Sequence, residues 1–345
     1  MRVLSVGWFQ KKSSTSLHRH VAIKKNVQQV DEVELGTPST TFLYKVCYHL
    51  FQKGLPISLP DQVGSNKKIK ALIAKEDYDI VWIDKGVIIN ASTLKFIKEK
   101  SPTTKIVSFS PDNMVLRHNQ SQNYLNCIPY YDCTFTTKSY ILDDLKNMGV
   151  KNIHFIHKTF SEDFHCPQIL TEEEKERLGG DVGFVGVWEQ ERCDSILFLV
   201  KNGLNVKVFG DGKWNEYKGL YPNLVILPGI FSEDYPKALQ AFKISLCFLR
   251  KKNFDQQTAR TMEIPACGGF MLAERTKEHL QLFKENKEAV FFSDNEELLE
   301  KCRLYLGDYM EREKIALAGR NRCLNSGYSN KGAMGKMLNI VMKND

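Results

Sequence analysis

Asp255 and Glu263 stand eight residues apart, with Thr258, Arg260 and Thr261 between them. A short helix is expected over residues 258–266, ended by Pro265 and the pair Gly268-Gly269, with an apolar strand over 270–273 behind it. Thr258 suits an N-cap, and the first turn of such a helix presents unpaired N–H groups to an anion. Arg260 adds a planar fork of donors that matches a phosphate. Glu263, one turn inside, suits the paired hydroxyls of a ribose, with Thr261 beside it. Asp255, in the loop before the helix, suits hydroxyls of a neighbouring sugar. The residue types together fit a sugar nucleotide. Acids at this spacing also arise by chance, and a capped helix before a Gly-Gly turn is common, so spacing alone leaves both readings open.

The rest of the chain has to position that stretch. Its 345 residues are enough for two domains, each with its own core. Hydrophobic content of 42% and charged content of 26% are those of a globular protein, and no apolar run approaches the roughly 20 residues of a membrane helix. No secretory leader is expected, because Met1-Arg2 runs into a short apolar segment and then Lys11-Lys12. Nine cysteines without a C-x-x-C pair argue against a disulfide framework or structural zinc and for a cytoplasmic setting. The net charge of +7 resides in residues 1–165, which hold 22 Lys+Arg against 15 Asp+Glu; the remainder is neutral. A basic first half suits an anionic acceptor or peripheral association with the inner face of a membrane, or is a plain solvated surface. No aromatic-interleaved basic motif points to nucleic acid.

Apolar runs and helical periods alternate along both halves. Strands are expected at 2–7, 78–83, 105–109, 132–136 and 152–156, with helices at 67–75, 91–100 and 138–147 and a helical pattern opened by Thr37-Pro38-Ser39. Residues 8–25 read as a long loop or loop-helix carrying His18. No G-x-G-x-x-G follows the first strand. After a break at 157–180 the alternation resumes, with strands at 181–187, 204–209, 223–227, 244–249 and 287–292 and helices at 190–201 and 232–242. Helices at 295–306, 311–324 and 331–342 close the chain. The expected class is α/β, two Rossmann-like domains with parallel sheets. Polar residues just after strands are where such sheets bind ligands, which singles out Lys85, Asp112 and Lys213. Lys85 suits an anionic group and Asp112 suits binding or deprotonating a hydroxyl, although each also suits a plain cap. Lys213, in FGDGKW, is a phosphate candidate.

The acid-x7-acid stretch resembles the signature of retaining GT-B glycosyltransferases, with Asp at 255 where many members carry Glu. Its wording, TARTMEIPACGGFMLAER, is similar to the spore-maturation (CgeB-like) branch, where R-T-x-E-I-P-A-x-G-G recurs. D-K-G at 84–86 and the Pro111-Asp112 segment resemble that branch too, and FVGVWEQERC resembles the family's strand-G-x5-R element. The resemblance implies a first domain at 1–160 on the acceptor side, a linker at 161–180, a nucleotide-sugar domain at 181–330, and a terminal helix at 331–345 crossing back to the first domain. It implies a glycosyltransferase that uses a nucleoside-diphosphate sugar as co-substrate, with no further cofactor and no metal, and a glycan, lipid or protein hydroxyl as acceptor. Arg192 and Arg260 would hold the diphosphate as it leaves. Gly229, Ile230 and Phe231 would lie against the base. Asp255 and Asp112 would serve the reacting sugar and the acceptor, and His18 a phosphate or the acceptor in the cleft. A sugar-nucleotide epimerase of the same fold and a non-catalytic sugar-nucleotide or glycan-binding module are the rivals.

Overall fold

The computed structural model describes residues 1–36 and 41–343. The helical opening expected at Thr37, Pro38 and Ser39 lies outside the described residues. The chain divides into two compact units, Met1–His157 with Asn330–Asp345, and Lys158–Ser329.

The first unit runs β1 (Arg2–Gly7), α1 (Thr15–Lys24), β2 (Gln29–Glu34), α2 (Phe42–Gln52), α3 (Ser65–Ile73), β3 (Ile80–Asp84), α4 (Ala91–Lys100), β4 (Lys105–Ser110), α5 (Gln122–Cys127), β5 (Cys133–Thr136), α6 (Leu142–Asn147) and β6 (Ile153–Phe155). Its strands are all parallel, in the order β2-β1-β3-β4-β5-β6. β3 is IVWID and buried throughout, as expected of a central strand covered by helices on both faces. Trp82 stacks between Phe109 and Phe135 on its neighbours. β2 was not anticipated from sequence. It is one of the two edge strands of this sheet, and QVDEVE carries charges that suit an edge and mask its period.

The second unit runs α7 (Glu172–Leu178), β7 (Gly180–Val185), α8 (Gln190–Lys201), β8 (Val206–Phe209), β9 (Leu224–Leu227), α9 (Asp234–Ala241), β10 (Phe242–Cys247), α10 (Arg260–Ala266), β11 (Met271–Glu274), α11 (Lys277–Leu282), β12 (Val290–Phe292), α12 (Asn295–Gly307) and α13 (Tyr309–Asn325). This sheet is also parallel, in the order β12-β11-β10-β7-β8-β9. Segment 161–180, expected as a linker with one short helix, belongs to this unit, and α7 is a short helix within it. α7 has a full capping box from Thr171 and Glu174, and Phe160, His165 and Leu178 are buried. The final helix, α14 (Asn330–Lys343), packs Met334, Met337 and Leu338 with Val3, Ile23 and Trp82 of the first unit. Asn26 Nδ2 donates to the Lys331 carbonyl at 3.0 Å.

In each sheet the strand order reverses once, beside β1 and β3 in the first unit and beside β7 and β10 in the second. Open parallel sheets leave a crevice at the carboxyl ends of the strands at such a point.

Candidate functional site

In the second unit, the reversal point is built around two glycines that permit close approach. A Cβ on Gly186, just past β7, would lie 3.0 Å from Nη2 of Arg260. A Cβ on Gly210, just past β8, would lie 2.6 Å from the Gly186 carbonyl. That carbonyl accepts Nε1–H of the buried Trp214 at 3.0 Å. The FVGV, FGDGKW and ARTME segments, far apart in sequence, therefore meet.

Three arginines converge on this corner with one carboxylate among them. Arg192, in the first turn of α8, is 3% exposed and gives Nε to the Leu249 carbonyl at 3.2 Å and Nη1 to the Val187 carbonyl at 3.1 Å. Arg192, expected to reach a diphosphate, thus already gives two of its five donors to backbone carbonyls two loops apart. Burial pushes the Arg192 pKa down. Glu189 opposes that, and the charges of Arg260 and Arg250 add to it. Glu189 itself is buried, accepts Arg250 Nε at 2.9 Å, and leaves its Oε2 without a hydrogen bond among the described residues. Arg260, over the Phe184 ring at 5.8 Å, differs from both other arginines. Its buried Nε has no hydrogen-bond partner among the described residues. A buried charged donor left without an acceptor is costly, and an anion at this corner would satisfy it.

The acid-x7-acid stretch is held from behind. α10 begins at Arg260, with Ala259 as its N-cap and no side-chain cap. Thr258 is thus not the cap expected. Its own N–H donates to Thr261 Oγ1 at 3.0 Å. Thr261 is fully buried, and its hydroxyl lies 2.9 Å from Nε2 of the buried His279. His279 Nδ1 lies 2.6 Å from the Glu274 carbonyl, so Nδ1 carries the proton and Nε2 accepts from Thr261. Burial lowers the His279 pKa to about 4, keeping the ring neutral. Thr261 is therefore a brace and not a ligand-facing group. Pro265 sits inside α10, and the turn comes at Gly268, whose φ is +82°.

Glu263 is 5% exposed. Its Oε2 accepts the Tyr235 hydroxyl at 2.5 Å, and its Oε1 lies 3.4 Å from His165 Nε2. The Ser161 N–H donates to His165 Nδ1 at 3.0 Å, which places the imidazole proton on Nε2, toward Glu263. Burial lowers the His165 pKa, partly offset by Glu263; burial and Glu263 both raise that of Tyr235. Glu263 was expected to accept from both hydroxyls of a ribose; each of its oxygens has a protein neighbour, which leaves the remaining lone pairs for such a ligand. Asp255 is buried, directly after Phe254 in the left-handed region at φ +54°, and its N–H donates to the Arg250 carbonyl at 3.3 Å. The adjoining Gln257 and Gln256 are tied to Glu278 and Thr276.

The other sequence candidates of this unit lie at the rim. Lys213 is exposed, with its ammonium 4.6 Å from the Trp188 ring centroid. Gly229 N–H donates to Asp211 at 3.1 Å, Ile230 is partly buried, and Phe231 is exposed. In the first unit, Lys85 and Asp112 form an ion pair at the ends of β3 and β4, with Lys85 at φ +49°. His18 is buried and gives Nε2–H to the Lys12 carbonyl at 2.7 Å, bracing its own loop. Sequence reading missed a buried pair beside it. Arg19 holds Asp84 through Nε at 2.5 Å and Nη2 at 3.0 Å, with its guanidinium over Phe109. Neither this pair nor Tyr235, His165, Glu189 and His279 could be picked out, because each acts through a partner distant in sequence.

Comparison with known proteins agrees with this architecture. Residues 193–339 match the model of a family described as glycosyl transferase-like. No curated protein sequence matches significantly. Sucrose-phosphate synthase from Thermosynechococcus elongatus is similar in structure, with a TM-score of 0.66 at 11% identity over 99% of this chain and 98% of that one. Anabaena HepE in complex with UDP-glucose gives 0.63 at 11% identity over the whole of both chains. An alpha-glucosyltransferase in complex with UDP-glucose and DNA containing an abasic site gives 0.65 at 13% identity over 99% of each. The chain has the GT-B fold, two Rossmann-like units each built on a six-stranded parallel sheet.

Proposed function

We propose that this protein transfers a glycosyl group from a nucleoside-diphosphate sugar to a hydroxyl of a glycan, lipid or protein acceptor, as a retaining enzyme of the spore-maturation-like branch. The observation that carries the reading is Arg260. Its buried Nε has no acceptor among the described residues, and its Nη2 packs close against Gly186, where the strand order of the second sheet reverses. Arg192 and Arg250 add to the local field, and Glu189 is the one acid set among the three. Such a field, fixed before the ligand arrives, stabilises the negative charge that develops on a departing diphosphate without a bound metal. Asp255 and the free lone pairs of Glu263 then take hydroxyls of the sugar and the ribose. Gly229, Ile230 and Phe231 border the base. Lys85 and Asp112 are assigned to the acceptor. The family match over residues 193–339 and the likeness to structures named as UDP-glucose complexes support this reading.

A thermal-shift panel of UDP, GDP, dTDP, ADP and CMP derivatives tests it. A true ligand at 100 times its Kd adds about 2.7 kcal/mol of stability. Arg260→Ala should abolish that shift and lower turnover by roughly 10²–10³-fold, with Arg260→Lys intermediate; a chelator should leave turnover unchanged. An unaltered shift in Arg260→Ala sinks the assignment. The buried His165–Glu263–Tyr235 cluster also suits acid–base chemistry on the sugar itself, as in an epimerase. That reading requires an altered sugar nucleotide to appear in the absence of any acceptor.

A further inference from the structure

The first unit carries an apolar surface that the described residues leave open. α2 is amphipathic in an unusual sense, with two apolar stripes. Tyr44, Cys47 and Tyr48 face inward onto the core of the unit, and Phe51 is fully buried. The opposite stripe is also apolar. Phe42 is 83% exposed, Leu43 59% and Val46 37%, and these positions share one face at helical spacing. Leu55, just beyond the helix, is 48% exposed. Single exposed apolar side chains are ordinary, but a run of them on one helix face marks a surface that is covered in use.

The charges around the stripe say what covers it. Residues 41–60, TFLYKVCYHLFQKGLPISLP, contain no Asp or Glu. Lys45, His49 and Lys53 are exposed along the stripe. Arg117, whose Nε donates to the Phe51 carbonyl at 2.6 Å, and the exposed His118, whose carbonyl accepts the Tyr48 hydroxyl, add to the basic rim. A second copy of the chain would bring these like charges together. A helix lying in the interface of an anionic bilayer is instead matched on both counts. Its apolar face enters the acyl boundary, and the lysines reach the headgroups while their stems cover apolar surface.

We propose that α2 docks the protein on an anionic lipid surface, with Phe42, Leu43 and Val46 inserted and Lys45 and Lys53 on the headgroups. This goes beyond the donor reading and does not depend on it, since the residues lie in the other unit. Flotation of the full chain with phosphatidylglycerol–phosphatidylcholine vesicles, and with phosphatidylcholine alone, tests it. The protein should float with the mixed vesicles and be largely left behind by the neutral ones. The triple variant Phe42→Ser, Leu43→Ser, Val46→Ser should lose flotation, and Lys45→Glu with Lys53→Glu should weaken it by at least about fivefold per lysine. Because every substituted residue is on the surface, the melting temperature and the nucleotide-induced shift should stay at the parent's values in the same samples. Equal binding to neutral vesicles, no binding by the parent, or variants that float like the parent would each overturn the proposal. So would a triple variant whose only change is loss of a dimer in sedimentation, which would make the stripe a contact between copies.

Discussion

Replacing His279 by Leu tests how the α10 stretch is held. The imidazole is fully buried, stacked on Phe291 at 5.6 Å, and joins the Glu274 carbonyl to the Thr261 hydroxyl. Leucine fills much of the same volume but leaves both polar groups without that partner. At about 1–3 kcal/mol for each orphaned group, the loss at pH 7 is roughly 2–6 kcal/mol. The pH dependence separates the histidine from its volume. Burial lowers its pKa from 6.5 to about 4, so the unfolded chain binds a proton there that the folded chain refuses. Its contribution is fully present above pH 6.5 and is lost as pH falls toward 4, amounting to about 3 kcal/mol across the window. His165 and His20, also lowered by burial, act with the same sign, so the informative quantity is the difference between parent and variant. Urea unfolding at several pH values between 4 and 7 measures it. The gap between the two proteins should be widest at pH 7 and should narrow toward pH 4. The variant's nucleotide-induced shift should weaken at pH 7, because Thr258 and Thr261 enter α10 through this ring. A gap below about 1 kcal/mol that does not change with pH would refute the reasoning.

Arg192→Ala should cost roughly 2–4 kcal/mol in urea unfolding, since the Leu249 and Val187 carbonyls lose a buried charged donor. If Arg192 were instead a free diphosphate ligand, stability would hold and only nucleotide affinity would fall. Asp84→Ala strips the partner from the buried Arg19 and should lower stability by about 3–5 kcal/mol, read as a large drop in melting temperature of the first unit. A drop equivalent to less than about 1 kcal/mol would show that water reaches Arg19.

Much of the α/β plan is legible in the chain itself. A central strand such as IVWID is a near-continuous apolar run, as expected where helices cover both faces. α4 and α8 appear at the boundaries their periodicity and flanking residues indicate. The edge strand β2 escaped because charged residues suit an edge and hide its alternation. α5 and α11 escaped because six residues are too few for a helical period to register. The same principle divides the site. The acid-x7-acid spacing, the arginine before the glutamate and the glycine past β7 are properties of short segments and could be read directly.

Which of those groups are free to meet a ligand was not written in any segment. Arg192 and Arg260 both open helices that follow strands, and local sequence treats them alike. The fold brings two backbone carbonyls to Arg192 and, among the described residues, no acceptor to the Nε of Arg260. Glu263 meets Tyr235 and His165, and Thr261 meets His279, only after strands and loops well separated in sequence have closed around them. The sequence by itself determined residue types, element periods and the two-unit plan, because these follow from local sterics and from the burial of apolar faces. The tertiary structure decided the partners of each charge, because hydrogen bonds and desolvation depend on distances that exist only once the chain has packed.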